Sequence, residues 1–292
     1  MENKTVRDTN TTFRHYFNDG HGNGKSNYRL LSLANTLKGT DYTDPNAIQI
    51  NTLDGSFFSS LKNDISFLFD NRWMILLEHQ STINENMPIR LLGYVNEIYN
   101  LYLKPYRNQI YNKALIQLPT PEFHVFYDGD DDTKDSDFDY KLLRLSDSFI
   151  MPGGQLELTV NCYNLNIGKS LNLKKLCKPL EEYSIFSNHF KLYRKQGFSI
   201  KEATRLAINY CRENNIMSDY LSNNDSEVID LFGFEWNEKE EREALLEAGK
   251  TKGKLEILKN IMAKNNWPAE RALEFMGIAK SQYNQYISLL QP

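Results

Sequence analysis

Asp64 and the triplet Glu78-His79-Gln80, fourteen positions further on, offer the most chemistry in this 292-residue chain. Two carboxylates brought to one point suit a hard divalent cation. Mg²⁺ takes oxygen ligands and keeps several of its waters, which are then available for reaction. Gln80 lies two residues beyond Glu78, on the same face of an extended strand. There its amide can orient a substrate or a water. His79 falls on the opposite face and is assigned no part in the chemistry.

Other elements must bring these residues together. Ile65 to Phe69 and Trp73 to Leu77 are rich in β-branched and aromatic residues and read as two strands. Asp70-Asn71 reads as the tight turn between them. Such a hairpin sets Asp64 at one strand tip against Glu78 on the neighbour. Glu78 closes a run that a sheet would bury, where an unpaired carboxylate is costly. Upstream, Thr9 to Asn18 reads as a short helix with Phe13, Tyr16 and Phe17 on its apolar side. Tyr28 to Leu37 reads as a second helix, stopped by Gly39. Ile48 to Leu53 alternates at period two and reads as the first strand. Downstream, Asn86 to Leu103 predicts a helix with Pro88 in its first turn. Leu91, Leu92, Val95, Ile98, Tyr99 and Tyr102 form its buried stripe. Phe123 to Tyr127 and Leu156 to Tyr163 read as further strands, separated by an acidic loop from Asp128 to Asp139.

From about residue 172 the chain turns helical, most clearly over Pro179 to Lys195 and Ile200 to Glu213. The order predicts an α/β domain over residues 1–235, a mixed sheet flanked by helices. Residues 236–292 read as a charged helical linker and a small helical region. Within it, Glu270 to Leu290 gives two short helices broken at Gly277. These C-terminal helices lack a dense basic face, so packing or assembly suits them better than docking in DNA.

Hydrophobic residues make up 40% and charged residues 25% of the chain, as in ordinary globular proteins. The net charge of −4 excludes a broadly basic nucleic-acid coat and confines any positive surface to a local cleft. Three cysteines, Cys162, Cys177 and Cys211, are too few and too irregular for a disulfide framework or a zinc site. The polar N-terminus has no signal-peptide pattern. The apolar run from Trp73 to Leu77 is far too short to span a bilayer. A cytoplasmic protein with no membrane partner is expected.

The stretch Glu78-His79-Gln80-Ser81-Thr82-Ile83-Asn84-Glu85-Asn86-Met87-Pro88-Ile89-Arg90, with Asp64 upstream, resembles the Rpn-type family of recombination-promoting nucleases and transposase-like proteins. That family lies within the PD-(D/E)XK nuclease superfamily. Lys38-Gly39-Thr40-Asp41-Tyr42, Leu118-Pro119-Thr120-Pro121-Glu122-Phe123, Leu145-Ser146-Asp147-Ser148-Phe149 and Asn164-Leu165-Asn166 agree with it in order, so the resemblance covers roughly residues 6–235. It implies a restriction-endonuclease-like sheet core and an Mg²⁺-dependent DNA endonuclease, with Mn²⁺ as an alternative ion. It assigns Asp64 and Glu78 as metal ligands, with the backbone carbonyl of His79 as a further candidate. Gln80 then occupies the position that is Lys in the superfamily's name, and glutamine supplies no positive charge. Asp8 is a candidate for the carboxylate that many members carry on the first helix, although it reads more readily as that helix's N-cap. Arg14 and Arg90 are candidate phosphate contacts, although as lone arginines they read more readily as surface residues. A homodimer or higher homo-oligomer would suit cleavage of two strands. The alternative is a catalytically inactive nuclease-fold module that binds DNA or protein, which Gln80 and the acidic charge favour.

Two further motifs are near misses. Asp19 to Ser26 ends in Gly24-Lys25-Ser26 like a phosphate-binding loop. However, Asp19 stands where the first glycine belongs, and a helix precedes it where a strand is required. Asp128, Asp130, Asp132 and Asp139 take the spacing of an EF-hand loop. Thr133 replaces the required glycine and Asp139 the bidentate glutamate, so a solvated acidic loop is expected. Ser184 and His189 do not share a helical face and indicate no nucleophile pair.

Overall fold

The strands form where β-branched and aromatic residues concentrate. A computed structural model describes residues 12–18, 25–52, 63–129, 136–222, 228–229, 249–251 and 253–290. Six strands make one mixed sheet: β1 (Ile48–Ile50), β2 (Ile65–Phe69), β3 (Trp73–Gln80), β4 (Thr120–Tyr127), β5 (Tyr140–Arg144) and β6 (Thr159–Asn164). Their spatial order is β1-β2-β3-β4-β6-β5. The first three form an antiparallel meander, with Ile65 opposite Leu77 and Phe69 opposite Trp73. Asp70 and Asn71 turn the hairpin at φ 50° and 52°, the left-handed pair whose twist matches the strands. Strand β4 runs parallel to β3, and β6 parallel to β4. The parallel step needs a long crossover, and helix α3 (Met87–Tyr102) provides it.

Alternation along the strands divides the core. Met74 and Leu76 of β3, Val125 and Tyr127 of β4 and Val160 of β6 pack on Leu91, Tyr94, Val95 and Ile98 of α3. The other face is aromatic. Phe13 of α1 (Thr12–Phe17) lies 5.5 Å from Phe126 and meets Tyr183 of α5 (Lys178–Lys195) edge-on at 5.2 Å. Helices α2 (Lys25–Lys38), α4 (Leu171–Leu176) and α6 (Ile200–Glu213) complete the unit. Helix α6 is opened by a capping box between Ser199 and Glu202.

Three expectations change. The strand expected from Leu156 begins at Thr159. Strand β5 was not anticipated: Tyr140 and Leu142 remain largely exposed on this edge, so no clean apolar alternation marks it. The acidic loop is not solvated throughout, because Asp128 is only 5% exposed.

The chain divides into two compact units, Met1–Gly233 and Phe234–Pro292. The second is helical over 253–265, Ala269–Phe275 and Tyr283–Ser288. Its small core is Leu258, Ala272, Leu273 and Tyr286. Gly277 ends the Ala269–Phe275 helix at φ 70°, a left-handed conformation that glycine adopts without penalty. Among the described residues no helix is long and apolar enough to cross a membrane.

Candidate functional site

The β2–β3 register carries Asp64 directly opposite Glu78, one step beyond the Ile65–Leu77 pair. Each carboxylate then accepts a backbone N–H from the other strand. The N–H of His79 donates to Asp64 Oδ2 at 2.7 Å, and that of Asp64 donates to Glu78 Oε1 at 3.1 Å. The two acids are thus interlocked at the strand tips. Glu78 is 1% exposed. Gln80 shares its face and brings Nε2 to 3.5 Å from Glu78 Oε2.

Helix α3 delivers the first positive charge. Asn84 Oδ1 accepts from the N–H of Asn86 at 2.9 Å, and Pro88 sits in the first turn of the helix. Arg90 follows and places Nη2 3.2 Å from Glu78 Oε2 and 3.0 Å from the Tyr94 hydroxyl. Its guanidinium also lies 5.8 Å from the Tyr94 ring centre. Arg14 of α1 adds a second charge that acts on Asp64.

These cations do not fully compensate the acids. Burial raises the pKa of Asp64 above its ordinary value; the His79 N–H, the His79 ring, Arg14 and Arg90 oppose that rise. Burial and the neighbouring Asp64 charge push Glu78 up to about 8, against the pull of Arg90. A buried acid pair short of positive charge holds a proton or attracts a cation.

The donor set fits a hard divalent ion. Both groups offer oxygen, and Asp64 Oδ1 receives no hydrogen bond among the described residues. No cluster of three or more His, Cys, Asp or Glu side chains occurs among the described residues. Water, a backbone carbonyl or a substrate oxygen would therefore fill the remaining positions, as Mg²⁺ commonly allows.

The structure thus gathers Asp64, Glu78, Gln80, Arg14 and Arg90 at one place, while Asp8 lies outside the described residues. Arg90 is ion-paired with Glu78 and keeps 38% of its side chain exposed. His79 points away from the acids. Its ring stacks on Phe13 at 5.0 Å and its Nε2 lies 3.2 Å from the Tyr183 hydroxyl. Lys25 and Ser26 begin helix α2, and α1 rather than a strand precedes them. The first six residues of the phosphate-loop motif, like Asp130 and Asp132, lie outside the described residues.

Sequence reasoning missed a buried ionic network under this site. Lys191 Nζ donates to Asp128 Oδ1 at 2.6 Å and to Asn166 Oδ1 at 2.5 Å. Ser187 also donates to Asp128, and His79 Nε2 lies 3.6 Å from Asp128 Oδ2. Burial alone would raise the pKa of Asp128, but the Lys191 and His79 partners hold it well below the usual carboxylate range. The available signal was periodicity: Leu180, Tyr183, Ser187 and Lys191 fall on one stripe of α5, and its last member is a lysine.

No protein-family model, no curated protein and no solved structure matches this chain.

Proposed function

We propose that residues 1–233 form a restriction-endonuclease-like core that hydrolyses DNA phosphodiester bonds with Mg²⁺ or Mn²⁺. The carrying observation is the interlocked pair Asp64 and Glu78 on neighbouring strand tips. The sheet order supports the fold reading, since an antiparallel meander bearing both acids crosses through α3 to a parallel strand. The ordered resemblance to Rpn-type nucleases supports DNA as substrate and links the activity with recombination.

Asp64 and Glu78 would hold the ion at the mouth of the β2–β3 hairpin. When bound, such an ion polarises a phosphoryl oxygen and acidifies a water. Gln80 would orient that water or a phosphate oxygen from the same face. Arg14 and Arg90 would neutralise phosphate charge, the part that glutamine cannot play in place of lysine.

Nicking of supercoiled plasmid tests the reading. Cleavage should require Mg²⁺ or Mn²⁺ and should vanish in Asp64→Ala and Glu78→Ala. One observation favours a second reading: Glu78 already has an internal counter-ion in Arg90, as a silent DNA-binding or protein-binding module would tolerate. DNA retention without cutting, unchanged in both variants, would support that module instead.

A further inference from the structure

Arg90 reaches both the buried acid and solvent. Its partner Glu78 has a side chain only 2% exposed, whereas its own is 38% exposed. A guanidinium carries five N–H donors. Arg90 uses them on Glu78, on the Tyr94 hydroxyl and, at 3.2 Å, on Met87 Sδ. Its Nε has no partner among the described residues. The oxygen it holds, Glu78 Oε2, belongs to one of the two acids that would hold a divalent ion.

We propose that Arg90 is an exchangeable counter-ion. It occupies Glu78 in the ion-free protein, yields that oxygen to a divalent cation, and turns its freed donors to a DNA phosphate. Tyr94 is the positioning residue, anchoring the guanidinium beside Glu78 until the exchange. The proposal rests on the metal-dependent reading above and adds to it a coupling: ion entry and phosphate capture draw on the same arginine. Two cations cannot share one carboxylate oxygen closely, so Arg90 and the ion must compete for it. Two ligands that bias one side chain are coupled reciprocally.

The test uses the full chain and Ca²⁺ as probe, followed by titration calorimetry at pH 8.5, where protons compete least for the acids. Arg90→Gln should bind Ca²⁺ about ten- to a hundredfold more tightly than the wild type, the scale of one charge-assisted hydrogen bond. Its affinity for a DNA duplex in Ca²⁺, read by fluorescence anisotropy, should fall by about the same factor. Tyr94→Phe loosens the anchor but keeps the charge. It should tighten Ca²⁺ binding while leaving DNA affinity unchanged, which covers the case in which Arg90→Gln misfolds. If neither variant binds Ca²⁺ more tightly than the wild type, or if Arg90→Gln keeps full DNA affinity, the exchange is refuted while the metal site stands. Absence of Ca²⁺ binding in the wild type, or binding that survives Asp64→Ala, overturns the metal reading and the exchange together.

Discussion

At the scale of single residues, two buried acids on opposite faces of the sheet are set in opposite senses. Glu78 is raised by burial and by Asp64, so the ion-free native state keeps a proton that the unfolded chain releases. By linkage, stability then falls as pH rises from the ordinary glutamate value of about 4.3. The fall should continue until Glu78 ionises near 8. Thermal melting in chelator should show this decline between those limits, and Glu78→Gln should flatten it. Asp128 has the reverse sign. Its pKa is lowered, chiefly by Lys191 acting against burial, so its contribution is present above the normal carboxylate range and lost in acid. Removing the lysine leaves a buried charge without its ammonium partner. Lys191→Met should cost roughly 3–5 kcal/mol, measured by urea unfolding. Adding Asp128→Asn to that variant should recover part of the loss. The chemistry of Asp64, Glu78 and Gln80 was legible because strand alternation and a hairpin turn fix where those side chains point. The pairings of Arg90 with Glu78 and of Lys191 with Asp128 were not, because a lone basic residue in a helix carries no local sign of the carboxylate it will meet.

At the scale of elements, the site depends on how β3 and β4 end together. The N–H of Asp128 donates to the carbonyl of Gln80 at 2.9 Å, and Gly129 follows at a point with no room for a side chain. A Cβ there would lie 2.4 Å from both the Ser81 carbonyl and the Tyr127 hydroxyl. Gly129→Ala should therefore force the strand ends apart and destabilise the protein by about 1–3 kcal/mol, the usual cost of overpacking. A denaturant midpoint shift checks it, and an unchanged midpoint would show that the strand ends yield freely. The elements themselves were readable to different degrees. The β2–β3 hairpin and α3 follow from dense aromatic and aliphatic content, a left-handed-tolerant Asp-Asn turn and a strong apolar stripe. Strand β5 escaped because an edge strand gains its pairing from β6 rather than from a buried alternating face.

At the scale of the molecule, every described component of the site lies in the unit ending at Gly233: the sheet, the acid pair, Arg14 and Arg90. The Phe234–Pro292 unit has its own core around Leu258 and Leu273. A chain ended at Gly233 should therefore melt cooperatively and keep the Ca²⁺ affinity of the full protein, read by calorimetry. Loss of either would mean that the second unit supports the first. The amino-acid order alone determined that an acid pair would stand at the ends of two adjacent hydrophobic strands, because side-chain alternation and turn chemistry act over a few residues. Only the tertiary structure decided what surrounds that pair. Burial depth, counter-ions from α1 and α3, and the Asp128–Lys191 pair beneath all arise between segments far apart in the chain, where desolvation and charge pairing act through space.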